Sequence, residues 1–168
     1  TGLNDQIELV EGSVLELPFE DASMDTAYMI HVGMNIADKA GIAREAARVL
    51  KPGGIFAIYD VMQVGTGQMD YPAPWACSED QSALAPPETY EAALKLVGFE
   101  VGERVDRTAF AKQFFADLAA AQSQADGPPP LGLYLIMGDD TALKVRHMVQ
   151  NIEGGLIAPI ELHARLPG

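Results

Sequence analysis

The chain has 168 residues, a formal charge of −13 and 48% hydrophobic residues, proportions that suit one soluble globular domain with a real core. So acidic a chain, with a pI near 4.4, lacks the clustered lysine and arginine that hold phosphates, which sets nucleic-acid partners aside. No apolar run reaches the ~20 residues that span a bilayer, so no membrane partner is expected either.

The start, "TGLNDQIELV", has neither the basic end nor the long apolar centre of a secretory signal. It has no initiating Met, which is compatible with processing, an internal start or an incomplete chain. The single cysteine, Cys77, excludes an internal disulfide and any CxxC metal or redox site. A reducing, cytoplasmic setting is therefore expected.

"IELVEGSVLELPF" begins as an apolar strand and ends in a loop, with Gly12 as the break and Pro18 blocking continuation. "MDTAYMIHV" reads as a second strand, with the apolar run expected when both faces are covered. From Asp38 to Leu50, Ile42, Ala46, Val49 and Leu50 fall at helical spacing and Asp38 suits the N-cap. "KPGG" then closes the helix, Lys51 suiting its C-terminus, and "IFAIYDV" is the third strand. Helix-length crossovers before apolar strands predict a largely parallel sheet in an α/β domain.

Residues 63–86 read as a long loop, a length commonly used for lids and binding segments. Pro87 opens a helix that runs to Val97 and stops at Gly98. "FEVGERVDRT" alternates as a fourth strand. Residues 109–125 form an alanine-rich helix, "GPPP" marks the next connection, and a further helix runs from about Leu131 to Ile152, interrupted near Gly138. "LIAPIELHARL" ends the chain as a strand. The short turn before it predicts a place at or near a sheet edge.

Three segments, "VEGSVLELPFEDASMDTAYMIHVGMNI", "AREAARVLKPGGIFAIYDVM" and "YEAALKLVGFEV", together resemble the class I S-adenosylmethionine-dependent methyltransferases, in the branch of ubiquinone/menaquinone-biosynthesis and sarcosine/dimethylglycine enzymes. The resemblance implies a Rossmann-like α/β sheet of order 3-2-1-4-5-7-6, mostly parallel with an antiparallel last strand. On that frame the chain supplies family strands three to seven. Strands one and two, the glycine-rich turn that cradles the cofactor's methionine end and the acid that binds its ribose are missing. Gly65 and Gly67 follow the fifth strand, with no helix behind them, and do not replace that turn.

The whole chain then reads as a single partial methyltransferase domain, with residues 63–86 as a lid and residues 109–153 as a helical cover. Without its neighbours the first strand must pair elsewhere or leave ladder groups exposed. An N-terminally shortened product of a longer enzyme, or a homodimer or strand swap that fills the gap, would account for this.

The resemblance also implies site residues. Ser13, Val14 and Leu15 stand where the family places an acid and a backbone N–H beside the adenine, here with serine in place of the acid. Ile30 and His31 end the second predicted strand beside the sulfonium and the acceptor entrance. Methyl transfer needs positioning, desolvation and sometimes proton removal, so a neutral His31 can serve as base or orienting group. An isolated histidine at a strand end is more often structural.

Asn35 suits an acceptor hydrogen bond or a cap on the turn before Asp38. Asp60 suits a substrate cation or hydroxyl at the crevice rim, or a strand-end acid paired with backbone. Tyr71 and Trp75 suit a lid stacking on a cationic amine, or packing anchors. Cys77 reads as inert, since nothing near it in sequence would activate the thiol. His147 and His163 read as surface or packing residues. No histidine pair has metal-ligand spacing, so no metal is expected. Phe114, Phe115 and Leu118 form a stripe suited to core or cover, with an interface second.

The expectation is methyl transfer from S-adenosylmethionine to a small-molecule nitrogen, oxygen or carbon acceptor. The rival is a non-catalytic fragment or oligomerising pseudo-enzyme that cannot bind cofactor alone. Another nucleotide-binding α/β enzyme lacks support, because neither a P-loop nor a dinucleotide fingerprint is present.

Overall fold

Every long-range pairing in the sheet passes through two strands, β2 (Leu50–Gln63) and β5 (Ile157–Arg165). The computed structural model describes residues 2, 3, 5–124, 127 and 131–168. Strand β1 (Met24–Ile30) pairs parallel with β2, which pairs antiparallel with β5 from Ile55↔Arg165 to Gln63↔Ile157. Two short strands, β3 (Glu100–Val101) and β4 (Val105–Asp106), lie antiparallel on the far side of β5. The Rossmann-like α/β architecture thus holds, with the last strand antiparallel as expected. The sheet is more mixed than the crossover pattern predicts, because most of its pairings run through that strand.

The last strand lies near a sheet edge, with only the short β3/β4 pair beyond it, and Leu162 at its centre has no solvent exposure. In the short turn before it, Gly154 and Gly155 reverse the chain by bonding back onto Gln150 and Ile152, so that α5 (Thr141–Glu153) and β5 pack together. Strand β1, expected to be covered on both faces, is not. Tyr28 and Ile30 are 75% and 53% exposed, and among the described residues β1 pairs only with β2. An apolar strand whose second neighbour and covering helix are absent has nothing against which to bury that face.

The expected first strand does not form. Residues 7–12 have no strand pairing, and Leu9 is 93% exposed. A strand exists only by its ladder, and the resembling fold pairs this one with a segment that is not in the sequence. The turn that follows does form, with the Glu16 N–H donating to the Ser13 carbonyl at 3.1 Å.

Helix α1 (Lys39–Val49) forms where the periodicity predicts. Asp38 caps it, accepting from the Gly41 N–H at 2.7 Å, and Ile42, Ala43, Ala46 and Val49 are buried. Arg48, not Lys51, occupies its last turn. Lys51 already belongs to β2 and pairs with Asp25 at 2.7 Å. "KPGG" is therefore no closing turn but an irregular start to β2, where the register with β1 shifts between Met24 and Thr26. Gly53, at φ +82°, supplies the left-handed residue this start requires. Glu45 and Arg48 of α1 hold the "LPFEDASMD" segment by its backbone: the Leu17 N–H donates to Glu45, and Arg48 donates to the Leu17 and Phe19 carbonyls.

Helix α2 (Pro87–Leu96) starts at Pro87 and stops before Gly98, at φ +96°. The expected fourth strand is split into β3 and β4 just after Val101, where the Gly102 N–H donates to the His163 carbonyl at 2.8 Å. Helix α3 (Thr108–Ser123) matches the alanine-rich helix. Ala125 and the "PPP" of the connection lie outside the described residues. The last helical stretch divides at Gly138, φ +82°, into α4 (Tyr134–Met137) and α5.

Two apolar cores flank the sheet. One joins α1 and α2 to it through Ile42, Ala46, Phe56, Ile58, Leu94 and Leu162. The other joins Met34, Val61, Ala111, Ile152 and Ile157 on the opposite side. Phe115 packs against this second core, while Phe114 is 52% exposed and stacks on Phe110. The expected stripe is thus core at one end and open at the other. Leu162→Ala should destabilise the chain by about 3 kcal/mol, from lost transfer energy and an unfilled cavity. Urea denaturation with an unchanged m-value measures it, and a loss below about 1 kcal/mol would remove β5 from the load of the core.

Candidate functional site

The ends of β1 and β2 and the Ser13 turn carry the residues singled out from sequence. Strand β1 ends at Ile30, and His31 turns the chain at φ +54° while its N–H donates to the Tyr59 carbonyl at 2.9 Å. A non-glycine residue in this region is uncommon and costs about 1 kcal/mol or more, and such positions concentrate at functional sites. The imidazole packs beside the Tyr59 ring, 5.0 Å between centroids, and loss of solvent lowers its pKa from the ordinary value. It is neutral near pH 7 and still open to solvent. Ile30, 53% exposed, flanks it.

A 3-10 turn, Gly33–Asn35, follows directly. A side chain at Gly33 could not be accommodated: an added Cβ would lie 2.4 Å from Asp60 Oδ2 and 2.8 Å from the Tyr90 hydroxyl. Asp60 sits beneath this turn with no solvent exposure, which corrects its expected place on the crevice rim. It accepts from the Tyr90 hydroxyl at 2.9 Å and from its neighbour Val61 N–H at 3.1 Å. Burial outweighs these bonds and the attraction of Lys39, so its pKa is pushed up to about 6. Its side chain lies within the core because β2 continues past it and keeps pairing with β5.

Lys39 and Tyr90 were not among the residues expected from sequence. Lys39 is 5% exposed and donates to the Gly33, Ile36 and Ala83 carbonyls at 2.8, 2.5 and 2.7 Å. One sequence signal existed: a cation in the first turn of a helix opposes the macrodipole and calls for another reason to be there. Tyr90, buried in α2, had no such signal.

Ser13 Oγ accepts from the Leu15 N–H at 3.2 Å, and Leu15 lies against Gly41 of α1. Val14, Val32 and Ile36 border the same apolar core, which brings the Ser13 turn and the turn after β1 onto one cluster. Asn35 is exposed and turns back, its Nδ2 donating to the Val32 carbonyl at 3.2 Å. Trp75 donates from its indole to Ser82 Oγ at 3.0 Å and packs on the core that contains Met34. Tyr71 is half-buried. The loop is held at its middle by reciprocal bonds between Asp70 and Asn151, both 3.0 Å, and by His147 Nδ1 against the Pro72 carbonyl.

His163 pairs with Glu161 at the surface, and Cys77 is exposed. Among the described residues no cluster suits a metal, and no helix is long and apolar enough to cross a membrane. A cleft of about 370 Å³ beyond β2 is lined by Gln63, Thr66, Pro87, Glu88 and Arg104. Arg104 is already committed to Glu88 and Glu91, each at 2.7 Å.

Residues 1–58 match a family model described as a methyltransferase domain. The chain is 41% identical over 59 residues to a sterol 24-C-methyltransferase of Gibberella zeae, covering 35% of this chain and 16% of that protein. Over 70 residues it is 47% identical to a ubiquinone/menaquinone biosynthesis C-methyltransferase of Brucella anthropi, covering 41% of this chain and 26% of that one. Among solved structures, one assigned as a sarcosine dimethylglycine methyltransferase from Galdieria sulphuraria superposes with a TM-score of 0.74 at 22% identity, over 99% of this chain and 62% of that one. A geranyl diphosphate methyltransferase in complex with S-adenosylmethionine gives 0.71 at 16% identity, over 98% and 60%. These structural likenesses speak to the fold. The chain spans 16% and 26% of the two curated relatives and about 60% of the two solved structures.

The raised pKa of Asp60 has a definite sign. Between its unfolded value near 3.9 and about 6, the folded chain binds the extra proton, so this group's contribution to stability falls as pH rises through that window. The unfolding free energy of the unmutated chain should therefore drop by about 2 kcal/mol relative to Asp60→Asn between pH 4 and pH 7. Urea titrations of both chains across that range measure the difference. A constant difference would show that Asp60 is ionised throughout.

Proposed function

Because the chain belongs to the class I S-adenosylmethionine-dependent methyltransferases, we propose that it carries the acceptor side of a methyl-transfer site for a small-molecule nitrogen, oxygen or carbon. The observation that carries the proposal is His31. It is a left-handed, solvent-open residue at the end of β1, with basicity lowered by packing, on a turn that rests on buried Asp60 and Lys39.

The fit to the cofactor can be tested on the residues present. The Val14 N–H has no acceptor among the described residues, which suits a donor to the adenine ring. Ser13 Oγ is turned inward to Leu15 and offers no carboxylate to the adenine amino group. Leu15 and Ile30, both partly exposed, supply apolar surface beside that position. The residues at the adenine end therefore fit through backbone and apolar contact. The methionine and ribose ends need groups that the 168 residues do not contain. The proposal assigns these to residues beyond this chain, pairing along the free edge of β1 in the same polypeptide or in a second copy.

When bound, S-adenosylmethionine supplies a methyl carbon already activated by its sulfonium. The chain's residues then have three tasks. Neutral His31 accepts the acceptor's proton or orients its lone pair. Asn35, a turn away, presents an exposed amide whose carbonyl is free to accept. The loop over residues 64–86, carrying Tyr71 and Trp75, excludes water from the crevice. Asp60 takes no part in acceptor contact on this reading. Exposed Cys77 fits a reducing, cytoplasmic setting.

The rival reading, a fragment that binds no cofactor, is favoured by the missing glycine-rich turn, and calorimetry separates the two. The natural gene product should exceed 18.0 kDa by intact mass and bind S-adenosylmethionine tightly, while the 168-residue chain binds it weakly. In that product His31→Ala should lower kcat by about 100-fold and leave cofactor affinity unchanged. Full turnover by His31→Ala would remove the residue from the mechanism. A natural product beginning at Thr1 that binds no cofactor would overturn the reading as a whole.

A further inference from the structure

A lysine buried to 5% exposure needs partners for its charge and for each of its donors. Lys39 has a carbonyl for every ammonium proton: Gly33 and Ile36 from the turn after β1, and Ala83 from the long loop. Its ammonium also lies 5.1 Å from the centroid of the Tyr90 ring. A lysine retained only to neutralise Asp60 would take the carboxylate directly. Instead the two form no ion pair, and Asp60 acts on Lys39 through space while bonding to Tyr90 and Val61.

The three carbonyls define what the ammonium joins. Gly33 and Ile36 bracket the 3-10 turn that follows His31, and Ala83 lies 44 residues from Lys39 in the chain. A backbone bond closes the same join, from the Ala83 N–H to the Met34 carbonyl at 2.8 Å. On the far side of Met34, Trp75 packs into the same core, tied to Ser82 beside Ala83. The loop thus meets the turn at its return limb through hydrogen bonds, and its Trp75 borders the same second core as Met34 of the turn.

We propose that Lys39 is a positioning residue that clasps the loop over residues 64–86 onto the turn after β1, so that the loop and the His31 turn close the acceptor side of the crevice as one unit. The clasp is a property of this chain; its role in acceptor binding rests on the methyl-transfer reading above. The ammonium does not touch the acceptor. It fixes the spacing between the element that bears His31 and Asn35 and the element that bears Tyr71 and Trp75, a spacing that decides how an acceptor is held.

The ammonium itself provides a test that needs no substitution. In the ¹⁵N-lysine-labelled chain, one slowly exchanging ammonium signal should couple through hydrogen bonds to the carbonyl carbons of Gly33, Ile36 and Ala83. Lys39→Met keeps the apolar stem and removes all three donors. It should abolish that signal, shift the emission of Trp75, the chain's single tryptophan, to the red, and speed proteolysis within residues 64–86 by about tenfold or more, with the far-UV spectrum unchanged.

If every lysine ammonium of the unmutated chain exchanges at the solvent rate, the clasp is overturned, whether or not Lys39→Met folds. It is equally overturned if a folded Lys39→Met chain keeps the original Trp75 emission and proteolysis rate. In the natural gene product the same substitution should raise the acceptor KM by about tenfold and leave S-adenosylmethionine affinity unchanged. Absence of any methyl transfer in the unmutated product would end the functional reading and leave the clasp to the ammonium signal.

Discussion

A carboxylate with no solvent exposure sits near the end of the doubly paired strand β2, and much of the molecule is arranged around keeping it there. Asp60 cannot be hydrated, so it draws on Tyr90 from α2, Val61 from its own strand and the field of Lys39 from α1. Tyr90 and Lys39 come from helices that pack on the sheet for apolar reasons. The helices deliver their polar groups to one point because Leu94, Ile42 and Ala46 bury their apolar faces nearby. Gly33 completes the arrangement by letting the backbone pass directly over the acid. The turn that carries His31 and Asn35 is therefore supported from beneath.

The opposite constraint acts along β1. That strand is paired on one side only, and the apolar residues of its outer face, Tyr28 and Ile30, meet no covering element among the described residues. Residues 7–12 show the same shortage from the other direction: apolar, suited to a strand and without a ladder. Both facts agree with a chain that covers about 60% of the structures it superposes on. The well-packed half of the domain, around β2 and β5, is the half built on antiparallel neighbours that the chain itself contains.

Local signals in the sequence were informative where the physics is local. The Asp38 cap, the spacing of Ile42, Ala46 and Val49, the Pro87 start, and the stops at Gly98 and Gly138 all formed as read. "LPFEDASMD" and "LKPGG" carry the methyltransferase resemblance in combination, and the structure shows how the two segments are joined. Glu45 and Arg48, one turn before "LKPGG", hold the "LPFEDASMD" backbone. The site was legible only in part. His31 stood out by its place at a strand end, whereas Lys39 looked like an ordinary helix lysine and Tyr90 like one more aromatic. Their meaning depends on residues 30 to 44 positions away.

The sequence by itself determined the main helices and the identity of β1, β2 and β5 as strands, because caps, periodicity and turn residues act over a few positions. Tertiary structure alone decided which of those strands would be interior and whether residues 7–12 would be a strand at all, because a ladder is a property of neighbours. It also decided the place of Asp60. Read along the chain, a strand-end acid looks destined for solvent. The continuation of β2 to Gln63, paired with β5 throughout, sends it inward, and the energetic demand of a buried charge then recruits Tyr90 and Lys39.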